Sequence, residues 1–288
     1  MQKILLQFDT DPLPSSFDRV VAVDAGVDQL MSYGGVTCEN VVPLVHGAMF
    51  TRGPEDLKNT AIFIGGSGVK DGEKLLRRVT ETFFGPLRVS VMMDSNGCNT
   101  TAAAAVVSAA RHQQLRGSMA IVLGGTGPVG QRVARMLALR GARVRIASRS
   151  LQRAEVACQQ VRASVPEAVV EPVETAVVDD WKELLGGTQI LVSAGAAGAE
   201  LMPTGALEAA GDLRVAIDLN AVPPAGVAGI KPADKAAERD GTICYGAIGV
   251  GGLKMRIHRI AVQRLFERND LVLDAEAILE LAEQLDRS

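Results

Sequence analysis

The amino-acid sequence predicts an α/β protein with two units, one a doubly wound parallel sheet and the other a smaller α/β unit completed by C-terminal helices. Short apolar runs rich in β-branched residues alternate with helical patterns along most of the chain, which is typical of parallel sheets. A glycine-rich hexapeptide follows one of these runs and opens a helical pattern. At 288 residues the chain is also longer than most single domains, so we expect two.

The first hundred residues show a strand, helix, strand pattern. Apolar runs predict strands at residues 3–8, 61–64 and 88–92, and residues 73–84 place their apolar side chains on one helical face. An alanine-rich stretch over residues 100–111 has no helix breaker. It predicts a helix that leads out of this unit.

The second unit is predicted from six further strands with helical patterns between them. The strands are at residues 120–123, 143–147, 169–173, 189–193, 215–219 and 242–245. The final segment carries two helical patterns that we expect to pack on the first unit. The predicted domains are residues 1–105 with 255–288, and residues 106–254.

Composition excludes several classes of protein. The net charge of −3 and an aromatic content of 3% argue against a nucleic-acid partner. No apolar run approaches the roughly 20 residues that span a bilayer, and Asp9 and Asp11 come too early for a signal peptide, so we expect a cytoplasmic protein without membrane contact. The four cysteines and three histidines are scattered, so neither disulfides nor a metal site are expected.

The glycine-rich hexapeptide has the G-x-G-x-x-G pattern of a dinucleotide-binding turn, between a predicted strand and a predicted helix. We expect its first glycine to permit the tight turn, its second to let the backbone approach a pyrophosphate, and its third to let the helix pack closely. The alternative is a turn of this kind that binds nothing. The residues are Gly125, Thr126, Gly127, Pro128, Val129 and Gly130.

The end of the next strand favours NADP over NAD. An acidic residue there would accept hydrogen bonds from the ribose hydroxyls of NAD, and none is present. Ser148, Arg149 and Ser150 occupy this position, with Arg153 one helical turn later, and they offer donors to a 2′-phosphate. Solvated surface arginines, or use of both NAD and NADP, are the alternatives.

Two later segments are expected to line the dinucleotide site. Ala194 and Gly195 end a strand in small residues, which lets a cofactor pass close to the backbone. Asn220 and Val222 belong to a loop that two prolines restrict, and we expect this loop to shape the nicotinamide pocket.

A series of short motifs extends over nearly the whole chain. They are residues 7–11 (QFDTD), 16–18 (SFD), 94–97 (DSNG), 99–101 (NTT), 125–130 (GTGPVG), 193–195 (SAG), 220–224 (NAVPP) and 249–254 (GVGGLK). In this order they resemble the bacterial NADP-dependent methylenetetrahydromethanopterin dehydrogenases, some of which also accept methylenetetrahydrofolate. The resemblance implies reversible oxidation of the methylene bridge of a tetrahydropterin to a methenyl bridge, direct hydride transfer to the nicotinamide, and a homo-oligomer.

Lys254 is the charged residue that we expect in the active site. It follows a glycine-rich segment, interpreted as a turn, after the last strand, where ligands of open α/β sheets bind. The similar family members have a lysine at the matching position. We expect it to hold a pterin oxygen, because the reaction needs alignment more than a proton relay. An ordinary lysine at the start of a helix is the alternative.

Carboxylates of the first unit are candidates for the amino-pyrimidinone edge of the pterin, whose paired N–H donors a carboxylate can accept. The candidates are Asp18, Asp24 and Asp94. Asp94 and Asn96 are also candidates for catalysis, and Thr100 and Thr101 are candidates for substrate binding. Aspartates also cap helices, and Thr101 is placed to begin one, so the residues alone do not choose among these roles.

Two other functions fit parts of the pattern. A shikimate-type NADP oxidoreductase shares the order of domains but would have an N-V-T-x-P-x-K motif, whereas residues 99–102 read NTTA without a lysine. A non-catalytic NADP-binding sensor would need no pterin site. Turnover of a methylene pterin distinguishes the sensor from the enzyme.

Overall fold

The computed structural model describes residues 1–287 and divides into two compact units. One unit contains Met1–Thr100 and the segment from Met255 onward, and the other contains Thr101–Lys254. The first division falls a few residues before the predicted boundary at residue 105. It lies within the alanine-rich helix. The binding roles assigned to the two units stay predictions.

The first hundred residues alternate strands and helices. The elements are β1 (Ile4–Asp9), α1 (Ser16–Asp24), β2 (Gln29–Tyr33), α2 (Val41–Met49), a 3-10 helix (Pro54–Asn59), β3 (Thr60–Gly65), α3 (Val69–Thr82), β4 (Ser90–Met93), a second 3-10 helix (Ser95–Gly97) and α4 (Cys98–Ala110). Every residue of β3 and β4 is buried, because helices cover both faces of a parallel sheet.

The second unit continues the alternation. Its elements are β5 (Met119–Leu123), α5 (Pro128–Leu139), β6 (Arg143–Ser148), α6 (Leu151–Ser164), β7 (Val170–Glu174), α7 (Trp181–Leu184), β8 (Ile190–Ser193), β9 (Val215–Asp218), β10 (Ala237–Arg239), β11 (Thr242–Tyr245) and the first part of α8 (Ala247–Arg264). The chain then ends with β12 (Val272–Leu273) and α9 (Ala275–Arg287).

The first sheet has the order β12-β4-β3-β1-β2, and all its pairs are parallel. The chain leaves β1 for β2 on one side and then crosses to β3 on the other. The order therefore reverses between β1 and β3, and ligands of open α/β sheets bind beside such a switch point, at the carboxyl ends of the strands. Phe8, Ile62, Leu75 and Val91 lie in the core of this unit.

The second sheet has the order β10-β11-β9-β8-β5-β6-β7, with only β10 antiparallel. From β5 the chain proceeds outward to β6 and β7 and returns to β8 on the other side of β5. This is the strand order of a Rossmann domain, with its switch point between β5 and β8. Ile121, Leu191, Ala216 and Cys244 are buried in its core.

The predicted fold class is confirmed, but three strands escaped prediction. They are β2, β10 and β12, which lie at sheet edges and are short or partly exposed, so their apolar pattern is weak. The second sheet accordingly has seven strands where six were predicted.

The predicted glycine-rich turn before Lys254 is wrong, because these residues lie inside α8. The helix begins against the segment that precedes β10. The N–H of Ile248 donates to the carbonyl oxygen of Pro232 (2.9 Å), and a Cβ atom at Gly249 would overlap the carbonyl oxygen of Asp234. The glycine therefore allows close packing of a helix on a loop.

Candidate functional site

The loop between β5 and α5 brings the backbone close to the neighbouring strand. Gly124, which precedes the predicted motif, has the left-handed conformation, with φ of 67°. A Cβ atom at Gly124 would lie 2.8 Å from both Cα and N of Gly195, which follows β8. Two glycine-containing segments thus face each other at the β5/β8 switch point. Gly124 was missed because the motif begins one residue later.

The three glycines of the motif differ in their surroundings. A Cβ atom at Gly125 would lie 2.7 Å from Ile146 Cγ2, and one at Gly130 would lie 2.6 Å from the carbonyl oxygen of Gly124. A Cβ atom at Gly127 would make only ordinary contacts, the nearest at 3.5 Å. Gly125 and Gly130 are therefore required by the protein itself, whereas Gly127 leaves open backbone that a phosphate can approach.

The start of α5 supplies donors for an anion. Pro128 is the first helical residue, and it has no N–H to satisfy. The N–H groups of Val129 and Gly130 in this first turn have no partner within the helix. Gln131 closes the loop, since its Nε2 donates to the carbonyl oxygen of Thr126 (2.8 Å). This arrangement fits a pyrophosphate, because the dipole and the N–H groups both favour negative charge.

The end of β6 presents hydroxyl groups and guanidinium groups. Ser148 is buried and accepts from the N–H of Ser150 (3.3 Å), while Ser150 caps α6 by accepting from the N–H of Arg153 (3.4 Å). Arg149 and Arg153 are exposed, and within residues 1–287 neither guanidinium forms a hydrogen bond or an ion pair. The structure thus places two cationic donors just after β6 without a carboxylate partner.

The segments after β8 and β9 are held together by one amide. Asn220 Oδ1 accepts from the N–H groups of Val222 (3.0 Å) and Gly198 (3.3 Å). Its Nδ2 donates to the carbonyl oxygen of Pro224 (2.8 Å). Val222 is 51% exposed at this loop, whereas Ala194 is half-buried at the end of β8.

In the first unit, carboxylates gather at the β1/β3 switch point. Asp9 is fully buried at the end of β1 and accepts from the N–H groups of Asp11 (2.9 Å) and Ser15 (3.0 Å), so it orders its own loop. A Cβ atom at Gly65, which ends β3, would lie 3.2 Å from Asp9 Oδ2 and 3.5 Å from Asp18 Oδ2. Asp18 is half-buried in the first turn of α1. Asp9 was not predicted as a site residue.

Asp94 caps α4 from the end of β4. Its Oδ1 accepts from the N–H groups of Asn99 (2.9 Å) and Thr100 (3.1 Å), and its Oδ2 accepts from Thr100 Oγ1 (2.6 Å). The carboxylate is 1% exposed, and His258 Nδ1 lies 4.0 Å from Oδ2. His258, whose ring stacks on Phe63 with centroids 5.5 Å apart, was not singled out from the sequence because its neighbours are distant along the chain.

The remaining candidates are dispersed. Asn96 is exposed in the left-handed region, with φ of 55°, and its N–H donates to the carbonyl oxygen of Gly66 (2.7 Å). Asp24 is exposed at the last residue of α1, away from the first turn that holds Asp18. Thr101 lies within the first two turns of α4, and Lys254 is half-buried within α8.

Other site types find little support among the described residues. No group of three or more His, Cys, Asp or Glu side chains within residues 1–287 is placed to hold a metal ion. All four cysteines are unbridged, and burial raises the pKa of Cys244 to about 11. No helix in the described part of the chain has both the length and the apolar composition needed to cross a bilayer.

A solved structure matches the fold of this chain, and a family model matches part of its sequence. The shikimate 5-dehydrogenase of Listeria monocytogenes, in complex with shikimate and NAD, superimposes with a TM-score of 0.55 over 97% of this chain and 96% of its own. At 14% identity this likeness concerns the fold alone. A family model described as "Methylene-tetrahydromethanopterin dehydrogenase, N-terminal" matches residues 16–96.

Two relatives from Methylorubrum extorquens align over almost the whole chain. The "Bifunctional protein MdtA" is 43% identical over 286 residues, which cover 99% of each chain. The "NAD(P)-dependent methylenetetrahydromethanopterin dehydrogenase" is 31% identical over 292 residues, 94% of each chain. The chain therefore belongs to the methylenetetrahydromethanopterin dehydrogenase family, as its motifs predict.

Proposed function

We propose that this enzyme oxidises methylenetetrahydromethanopterin reversibly to the methenyl form, with NADP as the hydride acceptor. The observation that carries the proposal is the β5/β8 switch point of a chain from this family. There a glycine loop and the first turn of α5 offer N–H donors, and Arg149 follows on the next strand. The relative that is 31% identical is named for the same reaction with NAD(P).

NADP fits the residues at this edge of the second unit. The open backbone at Gly127 and the N–H groups of Val129 and Gly130 would hold the pyrophosphate. Ser148 and Arg149 would bind the 2′-phosphate, because a guanidinium donates paired N–H bonds to phosphate oxygens, whereas a carboxylate would repel them. The bound nicotinamide supplies the carbon that accepts the hydride.

The proposed reaction needs few acidic or basic side chains. Hydride loss from a carbon between two nitrogens leaves an amidinium cation that the substrate itself stabilises, so the enzyme's main task is to align the donor and acceptor carbons within about 3–3.5 Å. A positive charge beside this carbon would oppose oxidation. We therefore assign Lys254 to a pterin oxygen, where it orients the substrate.

Asp18 is the strongest of the three carboxylates for the pterin edge. Asp94 is buried and accepts three hydrogen bonds from the start of α4, and Asp24 lies at the opposite end of α1. Asp18 is half-buried beside the end of β3, at the switch point where ligands of such sheets bind. A carboxylate there can accept two parallel N–H bonds from an amino-pyrimidinone ring.

Methylenetetrahydrofolate is the second candidate substrate, because it shares the reacting bicyclic head. The test is reduction of NADP, followed by its absorbance, with each methylene pterin and with shikimate. We expect turnover with methylenetetrahydromethanopterin and a larger kcat/KM for it than for the folate. Turnover of shikimate alone, or NADP binding without turnover of either pterin, would contradict the proposal.

A further inference from the structure

Asp218 ends β9 and holds both ends of the loop that follows it. Its side chain is 2% exposed. Oδ1 accepts from the N–H of Asn220 (3.2 Å), and Oδ2 accepts from the N–H groups of Gly226 (2.7 Å) and Val227 (3.2 Å). Charge-assisted hydrogen bonds from backbone on both sides of a loop fix where it begins and where it ends.

The loop is packed directly on this carboxylate. A Cβ atom at Gly226 would overlap the buried hydroxyl of Ser193 and would lie 2.6 Å from Asp218 Oδ1. Ser193 and Asp218 are register partners at the ends of β8 and β9. The carboxylate therefore sets the height of the loop above the ends of two neighbouring strands.

Asn220 extends this support to the segment after β8. Its Oδ1 is shared by the N–H groups of Val222 and Gly198, and its Nδ2 donates to Pro224. Because these contacts use both ends of the amide, the side chain serves the protein itself. The segments after β8 and β9 are thereby held in one arrangement, with Val222 at their surface.

The strand order places these segments on the nicotinamide side. In the sequence β9-β8-β5-β6, the phosphate loop follows β5 and Arg149 follows β6. A dinucleotide whose pyrophosphate lies at the start of α5 and whose 2′-phosphate lies at Arg149 must extend its other half toward β8 and β9. Asp218 ends β9 and Asn220 follows it, on the opposite side of β5 from β6 and Arg149.

We infer that Asp218 and Asn220 are positioning residues for the nicotinamide half of NADP, acting through Val222 and the loop without touching the cofactor. The inference rests on the proposed binding of NADP but not on the pterin reaction. The sequence-based expectation was that Asn220 and Val222 line the dinucleotide site, whereas this inference gives Asn220 an indirect role.

The experiment compares two ligands by calorimetry in the absence of pterin. NADPH contains both halves of the cofactor, whereas 2′,5′-ADP contains only the adenosine half with its 2′-phosphate. The variants are Asp218→Asn and Asn220→Ala. The control is Asp212→Asn, because Asp212 accepts from the N–H of Gly187 (3.0 Å) and so joins the segments before β8 and β9 at their amino ends.

We expect Asp218→Asn and Asn220→Ala to weaken NADPH about tenfold and to leave 2′,5′-ADP within about twofold of the wild type. Asp212→Asn should change neither. Retained binding of 2′,5′-ADP shows that each variant is folded, and Asn220→Ala keeps the test decisive if Asp218→Asn does not fold.

Equal weakening of both ligands, unchanged NADPH affinity, or the same pattern in Asp212→Asn would overturn the inference. A wild-type protein that binds neither ligand would overturn it together with the proposed cofactor. A wild-type protein that binds both and oxidises no pterin would refute the proposed reaction alone, and the ligand comparison would still support the inference.

Discussion

The two sheets of this protein use the same topological device with opposite chemistry. Each reverses its strand order once, between β1 and β3 in the first unit and between β5 and β8 in the second. The first switch point is lined by carboxylates, those of Asp9 and Asp18, beside the glycines that end β3. The second is lined by glycine backbone and by a helix start with unpaired N–H groups, and an arginine follows on the adjacent strand.

The two edges share a topology but differ in their polar groups, and under the proposed function this difference decides which ligand each edge binds. Carboxylates accept hydrogen bonds and favour a ligand with N–H donors, such as an amino-pyrimidinone ring. N–H groups and guanidinium groups favour phosphates. On this account, changes in the first unit affect the pterin alone, and changes at β5 and β6 affect NADP alone.

Substitution of Lys254 tests whether each unit binds only one of the two ligands, because Lys254 belongs to the second unit yet is assigned to the pterin. Lys254→Ala should lower kcat/KM for the methylene pterin about 100-fold, since loss of a group that aligns the substrate can cost that much. NADP affinity, measured by calorimetry without pterin, should be unchanged. Activity within about twofold of the wild type, or loss of NADP binding, would remove Lys254 from the pterin site.

Substitution of Asp18 tests the role of the carboxylates at the β1/β3 switch point. Asp18→Asn should lower kcat/KM for the pterin about 30-fold, which corresponds to roughly 2 kcal/mol for hydrogen bonds to a charged group. NADP binding should not change. Asp24→Asn is the matched control, because Asp24 lies in the same helix but at its far end. If Asp24→Asn lowers kcat/KM for the pterin as much as Asp18→Asn does, the carboxylates act through overall charge and Asp18 is not the pterin ligand.

Substitution of Arg149 tests the role of the arginine that follows β6. Arg149→Ala should raise KM for NADP about tenfold, roughly 1.4 kcal/mol, and leave KM for NAD almost unchanged. Arg143→Ala is the control, since Arg143 is an exposed arginine at the other end of the same strand. An equal effect on NADP and NAD would show that Arg149 does not read the 2′-phosphate.

Substitution of Gly127 is expected to have the smallest effect. It tests whether this glycine leaves room for the ligand or is needed for packing within the protein. Gly127→Ala should weaken NADP about fivefold and leave Tm unchanged, because the new Cβ meets the protein only at ordinary distances. Gly130→Ala should lower Tm, because its Cβ would lie 2.6 Å from backbone. A fall in Tm for both variants would make Gly127 a structural glycine.

Sequence patterns identified the regular parts of both units, for a physical reason. Buried parallel strands are continuous apolar runs, and the turn from β5 to α5 combines a run, a glycine motif and a helix within a short stretch. Ser150 was predicted only as a donor to a 2′-phosphate, and the structure shows that its hydroxyl also caps α6.

Features that depend on distant contacts could not be predicted in this way. The segment before Lys254 was predicted as a turn from its glycine content alone. It forms the start of α8, which packs on the backbone of residues 232–234. Asp94 and Asp18 are chemically alike, and only the fold shows that one caps α4 and the other lies beside β3. The role of Asp218 was not predicted either, because its hydrogen-bond partners are up to nine residues away.

The central claim is that hydride passes directly from the methylene carbon of the pterin to NADP. Methylenetetrahydromethanopterin with deuterium at the methylene bridge, oxidised by the enzyme in ordinary water, tests it most directly. Mass spectrometry of the reduced cofactor should find one deuterium per molecule formed, and the unlabelled substrate in heavy water should give none. Deuterium lost to solvent, or a cofactor that stays oxidised, would contradict the account.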